Sequence, residues 1–351
     1  MRTRYLLSSL ALLGALNPAY ADFATGWAAD ERGEYATALR EWRPLAEHGD
    51  AVAQYNLGVY YRDGNGVAKD EKEAGKWFRQ SAEQGYAEAQ YLLGLMYYAG
   101  ISMTMDYKVA SQWLRLAAEQ GVAGAQRQLA EMYEYGEGMQ QDYKSAVIWY
   151  RLAADQGDDL AQFQLGQMYN LGKGVPQDYK EAFKWFHRAA DQGDTLSQGK
   201  LGLMYEEGRG VPQDYKTARQ WYQRAAEKGH VLSQLSIGLM YSDGRGVPKD
   251  TKEATKWFRL AAVQGDPGAL TMLGGMYAYG QGAPVDRVVA YAFFNLAAAK
   301  DPEADNVGAE QRANIAAKMT PQEIEAAQKL TRGISGNPIE AIDRYLTLKK
   351  R

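Results

Sequence analysis

The chain has 351 residues, 46% hydrophobic and 24% charged, with 40 basic against 43 acidic side chains and a net charge of −3. That balance excludes a strongly basic nucleic-acid binder and a polyanionic tail. The absence of cysteine excludes disulfides, thiolate metal sites and thiol nucleophiles, and the 3 histidines leave little for metal chemistry, so no metal and no cofactor is expected.

Residues 1–21 have the three-part pattern of a secretory leader. Arg2 and Arg4 give a positive start, Leu6 to Leu16 an apolar run broken by Pro18, and Ala19-Tyr20-Ala21 a small-x-small cleavage site. The run is too short to span a bilayer, which needs about 20 residues. Cleavage after Ala21 would leave an exported chain, periplasmic or secreted, with no transmembrane segment. A chain without cysteine suits an oxidising compartment, because nothing can mispair. Residues 22–49, with Trp27, Tyr35, Ala38, Trp42 and Leu45, read as a degenerate helix pair that opens the array.

From residue 50 the chain repeats every 36 residues. Gly49, Gly85, Gly121, Gly157, Gly193, Gly229 and Gly265 keep this step, as do Trp77, Trp113, Trp149, Trp185, Trp221 and Trp257. The length alone would suggest two domains at about 150 residues each. Seven units across 50–301 point instead to one continuous repeat array. In the unit Asp158 to Gly193, Ala161, Leu165, Met168 and Tyr169 form the apolar stripe of a first helix that Asp158 caps. The Asp266-Pro267 pair starts another unit as N-cap and first helical residue. Gly172-Lys173-Gly174 ends the first helix, and Pro176 delays the next. Asp178 caps the second helix, and Glu181 three residues on predicts a capping box, repeated by Asp70/Glu73 and Asp250/Glu253. Ala182, Trp185, Phe186 and Ala189 make its inward stripe, and small Gly166 and Ala182 let the two helices approach. A lone pair cannot bury its apolar face, so the fold expected is all-α: a right-handed α-solenoid of stacked antiparallel helix pairs.

The helix–loop–helix unit resembles tetratricopeptide repeats, which have a shorter period. The GxGVxxD connector, the step of 36 and the closing A(E/D)QG resemble the Sel1-like repeat family more closely. The units depart from the pattern at Gly100-Ile101-Ser102, at Ala130, at Ala283 and at Asp301. Residues 302–351 read as closing helices, with Thr320-Pro321-Gln322-Glu323 a complete start signal. Tyr291 to Ala298 and the MTPQEIEAAQKL stretch also resemble the way bacterial members of the family end.

The chemical inventory is thin. The connector glycines recur in nearly every unit without a GxGxxG or GxxxxGK[ST] pattern, so they read as turns. His48, His187 and His230 hold different repeat positions. Ser197-Gln198-Gly199-Lys200 fits S-x-x-K, and the resemblance gives it interest because some proteins with these repeats have been linked to β-lactam hydrolysis. Ser197, however, takes the small inward place of Ala53, Ala89, Ala125 and Ala161, and no S-D-N or K-T-G partner is present. Lys72, Lys108, Lys144, Lys180, Lys216 and Lys252 form a ladder, offset by neighbouring glutamates, that reads as a solvated face.

Positions five, nine and twelve of each unit share one face of the first helix and vary where their neighbours do not. They predict a binding groove on the concave side, with Tyr55, Arg62, Tyr91, Tyr98, Arg127, Glu134, Phe163, Asn170 and Glu206 as its lining. Aromatic residues and arginine are the types that dominate binding hot spots. The resemblance implies a non-enzymatic scaffold or adaptor for a protein or peptide, with cell-envelope components among its candidate partners and no nucleic acid. The alternatives are a weak hydrolase of β-lactams or peptidoglycan peptides acting through Ser197 and Lys200, and a cell-wall glycan binder.

Overall fold

The computed structural model describes residues 18–300, 307–334 and 336–349. Residues 1–17 of the expected leader lie outside that range, and Pro18 already begins the first helix. Among the described residues there are nineteen helices and no strand. The chain divides into two compact units at Gln177 and Asp178, inside the fourth repeat. Each helix pair in a repeat array touches only its neighbours, so no boundary between repeats is privileged as a dividing line.

The N-terminal unit holds α1 (Pro18–Glu31), α2 (Tyr35–Glu47), α3 (Ala51–Asp63), α4 (Glu71–Glu83), α5 (Ala87–Ala99), α6 (Tyr107–Glu119), α7 (Ala123–Tyr135), α8 (Tyr143–Asp155) and α9 (Asp159–Leu171). The C-terminal unit holds α10 (Tyr179–Asp191), α11 (Thr195–Glu207), α12 (Tyr215–Glu227), α13 (Val231–Asp243), α14 (Thr251–Val263), α15 (Pro267–Tyr279) and α16 (Arg287–Lys300), followed by α17 (Val307–Ala316), α18 (Pro321–Arg332) and α19 (Pro338–Lys349).

The local signals act as their chemistry demands. Asp50 and Asp158 each accept a 2.8 Å hydrogen bond from the backbone N–H three residues on. First helices end on left-handed glycines such as Gly64 (φ 77) and Gly172 (φ 69). Where the second connector glycine is missing, Ser102 takes the left-handed conformation itself (φ 58), the one non-glycine to do so among the described residues. The capping boxes expected on the second helices are only half made. Asp70, Asp178 and Asp250 accept from the first-turn N–H groups. Glu73, Glu181 and Glu253 turn away and pair at 2.5 Å with Lys76, Lys184 and Lys256 three residues on. A solvent-facing lysine one turn away competes for the carboxylate. On α18 the Thr320–Glu323 box is complete.

Most helix pairs within each unit centre on a large side chain laid on a glycine, while the third repeat has Ala130 in the glycine's place. A Cβ built at Gly58 would lie 2.5 Å from the Phe78 ring, at Gly94 2.7 Å from Leu114, at Gly202 2.5 Å from Tyr222 and at Gly274 2.6 Å from Phe294. Phe78, Leu114, Tyr222 and Phe294 are buried. The tryptophan one residue earlier seals the junction between pairs: half-buried Trp77 packs on a cluster that holds Trp42 and Leu57, and Trp113 on Ala82, Ala89 and Leu93. A buried glutamine bridges successive pairs as well. Gln54 Nε2 donates to the Ala46 carbonyl at 3.0 Å and its Oε1 accepts from Gln84 at 2.7 Å. Gln90 and Gln126 repeat both bonds. Each such bond contributes about 1 kcal/mol.

Both ends are closed. Trp42 is buried at the N-terminal end, its Nε1 donating to the Phe23 carbonyl at 3.2 Å, and the Tyr60 hydroxyl donates to Asp30 at 2.6 Å. At the C-terminal end α17 and α18 lie on α16, while α19 returns to α14. There Arg259 pairs with Asp343, and Lys349 with the buried cap Asp286 at 2.7 Å.

Candidate binding face

Counted from residue 51 of the first repeat, positions three, seven and ten of the first helix are core, as Ala53, Leu57 and Tyr60 show. Positions five, nine and twelve sit on the flank that meets the next first helix.

Position five reaches the first turn of that helix. The Tyr55 ring is 5.0 Å from Tyr86, which holds the N-cap place of α5, and 6.0 Å from Phe78. Tyr91 lies over Gly124, where a Cβ would come within 2.8 Å of its ring. Arg127 is 3.2 Å from Asp158, the N-cap of α9, and 3.2 Å from Glu131. Burial opposes the charge on Arg127, but Asp158 and Glu131 outweigh it and raise its pKa. Burial also holds the Glu131 carboxyl above the usual carboxylate range despite Arg127. Phe163 is half-buried in the same series. In the C-terminal unit Gly199 occupies position five, and His230 closes on it, 2.8 Å from where a Cβ would be.

Position twelve reaches the connector of the next repeat at Tyr98, Glu134 and Glu206 and makes local contacts at Arg62 and Asn170. Arg62 pairs with adjacent Asp63 at 2.7 Å. The Tyr98 hydroxyl donates to Glu137 at 2.8 Å, and burial first, then Glu137, raises its pKa. Glu134 is 8% exposed, accepts from the Tyr150 hydroxyl at 2.9 Å and lies 3.9 Å from Lys173 Nζ. The Asn170 carbonyl accepts from Gln177 at 2.8 Å. Glu206 accepts from the Tyr222 hydroxyl at 2.7 Å and pairs with Arg245 at 2.6 Å. Of the nine residues expected along the groove, eight lie in the N-terminal unit and Glu206 in the C-terminal one, and all are half-buried or, for Glu134, buried rather than freely projecting. Their partners Glu137, Lys173 and Arg245 escape a reading of single helices. The signal is an interval of 39 residues that couples position twelve to the following connector.

The hydrolase alternative finds no support in the geometry. Ser197 has no exposed surface, and its hydroxyl has no hydrogen-bond partner among the described residues. A nucleophile needs both access and a base. No group of three His, Asp or Glu side chains among the described residues could hold a metal ion. None of the described helices is long and apolar enough to cross a membrane. The six ladder lysines are all exposed.

The Sel1 repeat model matches seven consecutive segments: 51–86, 87–122, 123–158, 159–194, 195–230, 231–266 and 267–302. Among solved structures, the chain is similar to c5321, a protective antigen present in uropathogenic Escherichia coli strains that displays an SLR fold. Identity is 26% over 97% of this chain and 96% of that one, with a TM-score of 0.58. It is also similar to a Sel1 repeat protein from Oxalobacter formigenes, at 32% identity over 68% of this chain and 96% of that one, with a TM-score of 0.61. No curated protein matches the chain.

Proposed function

The chain belongs to the Sel1 repeat family, and from that premise we propose that it is an exported, non-enzymatic adaptor that holds a peptide or protein segment against its first helices. Sel1 repeat proteins typically act as protein-interaction scaffolds. One observation supports the finer reading. Within each first helix the core positions repeat almost unchanged, while positions five and twelve pass through Tyr, Arg, Phe, Gly, Glu and Asn, most of them half-exposed. Core packing does not ask for that variety; recognition of a particular partner does. The mechanism is complementarity on a preformed surface, which spares the bound segment's receptor the cost of ordering.

The test compares crosslinked pull-downs from the cell envelope for the wild type, Tyr98→Ala and Arg127→Ala. Loss of a partner in either variant is expected, and retention of every partner in both overturns the face assignment. Export is checked separately by N-terminal sequencing of the protein from the envelope fraction, where the chain is expected to begin at Asp22. A chain that keeps Met1 and stays in the cytosol overturns the leader reading.

A further inference from the structure

The connectors of successive repeats lie in equivalent seats. In the second, third and fifth repeats the seat is built by position twelve and by the tyrosine that opens the second helix. The third residue that enters it comes from between the connector glycines of the following repeat. Close backbone packing fixes the arrangement: a Cβ on Gly138, Gly174 or Gly210 would collide with the backbone of Tyr107, Tyr143 or Tyr179.

Among the connectors of the second to seventh repeats, three consecutive ones bring in a cation that the protein supplies itself, Lys173, Arg209 and Arg245, while the others bring Ile101, Glu137 and Gln281. The Lys173 ammonium stands 5.2 Å from the centre of the Tyr143 ring and 3.9 Å from Glu134. The Arg209 guanidinium lies 5.7 Å over Tyr179. Arg245 pairs with Glu206 at 2.6 Å. The Lys173 seat shows what the geometry holds: a positive charge between an aromatic face and a carboxylate.

One seat is inverted. Where the next three repeats carry a cation, the connector after α7 carries Glu137. It meets two aromatic rings, Tyr98 and Tyr107, whose centres are 5.1 Å apart. The Tyr98 hydroxyl donates to Glu137 at 2.8 Å, and no cation pairs with Glu137 among the described residues. Tyr135, 62% exposed, stands two residues before Glu137. The charge of Glu134, with smaller effects of burial, Glu131 and Glu137, raises its pKa, which marks the region as negative. The notch therefore combines two aromatic rings with a carboxylate and lacks the positive charge that Lys173 brings to its seat.

We propose that the notch of Tyr98, Tyr107 and Glu137 receives an arginine or lysine side chain of the bound segment, in the place that Lys173 and Arg245 fill in their own repeats. The assignment rests on the scaffold reading above and adds to it the chemistry of the partner: a segment with a cationic anchor. Glu137 supplies the counter-charge, and the Tyr107 ring supplies the face on which the cation lies.

The probe is a fluorescein-labelled tetra-arginine peptide, titrated with the full chain at physiological salt and read by anisotropy. Glu137→Lys fills the notch as Lys173 fills its own, and binding is expected to weaken roughly tenfold. Glu137→Gln keeps the shape and is expected to weaken binding severalfold. Glu83→Lys makes the same charge change at an exposed place on α4 and should move the affinity less than about twofold. Thermal melts confirm that each variant is folded. Unchanged binding by Glu137→Lys, equal weakening by Glu83→Lys, or no binding by the wild type overturns the proposal. In the envelope pull-down, a partner lost in Arg127→Ala but kept in Glu137→Lys would remove the notch and leave the binding face standing.

Discussion

The two units keep the same core and differ in a row of surface contacts. In the N-terminal unit four successive second helices send an arginine to the tyrosine hydroxyl 18 residues on: Arg43 to Tyr61, Arg79 to Tyr97, Arg115 to Tyr133 and Arg151 to Tyr169. Three of these guanidiniums also lie 5.6 to 5.7 Å from the tyrosine ring. In the C-terminal unit the same place holds His187, Gln223 and Arg259. His187 turns to Asp191 and to the Phe183 and Trp221 rings, and Arg259 goes to Asp343 on α19. The side chain on glycine at the centre of the pair persists in both units. Half-exposed polar rungs are thus exchanged freely, whereas the glycine of the buried contact between helices is replaced only by alanine, at Ala130.

The largest effect should strike both units equally. Phe78→Ala and Phe258→Ala each empty the centre of a helix pair and are expected to cost about 3–5 kcal/mol in denaturant unfolding. A cost under about 1 kcal/mol for either would break the claim that the core is common. Next come the buried tyrosine–glutamate pairs, which occur once in each unit. Tyr150→Phe leaves Glu134 buried with only Lys173 at 3.9 Å, and should cost about 1.5–3 kcal/mol. Tyr222→Phe should cost less, because Arg245 stays 2.6 Å from Glu206. Equal costs would show that the cations contribute nothing, and the comparison would lose its electrostatic part.

The period, the caps and the glycines were legible because each is a signal within one helix or one turn. Asp158, Gly172 and Gly166 can be assigned without knowing what lies beside them. Contacts between repeats were less legible. The recurrent Trp77 and its equivalents draw the eye, but the buried centre is the following residue, Phe78, turned about 100° further around the helix. Helical spacing groups Tyr98, Glu134 and Glu206 on one face, yet only the stacking of pairs tells that this face meets Glu137, Lys173 and Arg245. The same limit applies to Glu73, whose competing partner Lys76 decides the capping box.

One departure in the C-terminal unit offers a gain. The glutamine ladder meets Lys228 where repeats one to four and six carry glutamine, so Gln198 Oε1 is buried without a partner while Lys228 donates to the Gly193 carbonyl at 2.8 Å. Gln264 shows that one glutamine makes both bonds, to Gln234 and to the Gly229 carbonyl, each at 3.0 Å. Lys228→Gln is therefore expected to stabilise the chain by about 1 kcal/mol, seen as a higher urea midpoint at unchanged slope. A lower midpoint would mean that the lysine is bound more favourably than the ladder.

A smaller, pH-dependent effect belongs to His230. Burial, then the charge of Lys200, pulls its pKa below the ordinary 6.5, with Asp194 opposing. The unfolded chain accepts a proton near pH 6.5 that the folded ring refuses. Stability contributed by the neutral ring is thus present above that pH and declines as pH falls, until the folded ring also protonates. Melting profiles of the wild type and His230→Asn should converge or diverge only in this interval, the wild type losing more on acidification. Parallel profiles would remove His230 as the titrating group.

The smallest effect tests the rungs themselves. Gln223 stands 18 residues before Tyr241, the separation that each arginine–tyrosine rung uses. Gln223→Arg should build a rung in the C-terminal unit and raise stability by about 0.3–0.5 kcal/mol, while Arg115→Ala should remove one and cost about 0.5–1 kcal/mol. The asymmetry follows from desolvation: the native arginine already lies along its tyrosine, while Gln223 must give up its present bonds to Arg219 and Glu227. The double variant should then sit below the wild type by the difference, because the two places lie in different units and share no partner. If Gln223→Arg destabilises the chain by as much as Arg115→Ala, the rung depends on its surroundings in the N-terminal unit, and the two units differ in more than the residue that occupies one position.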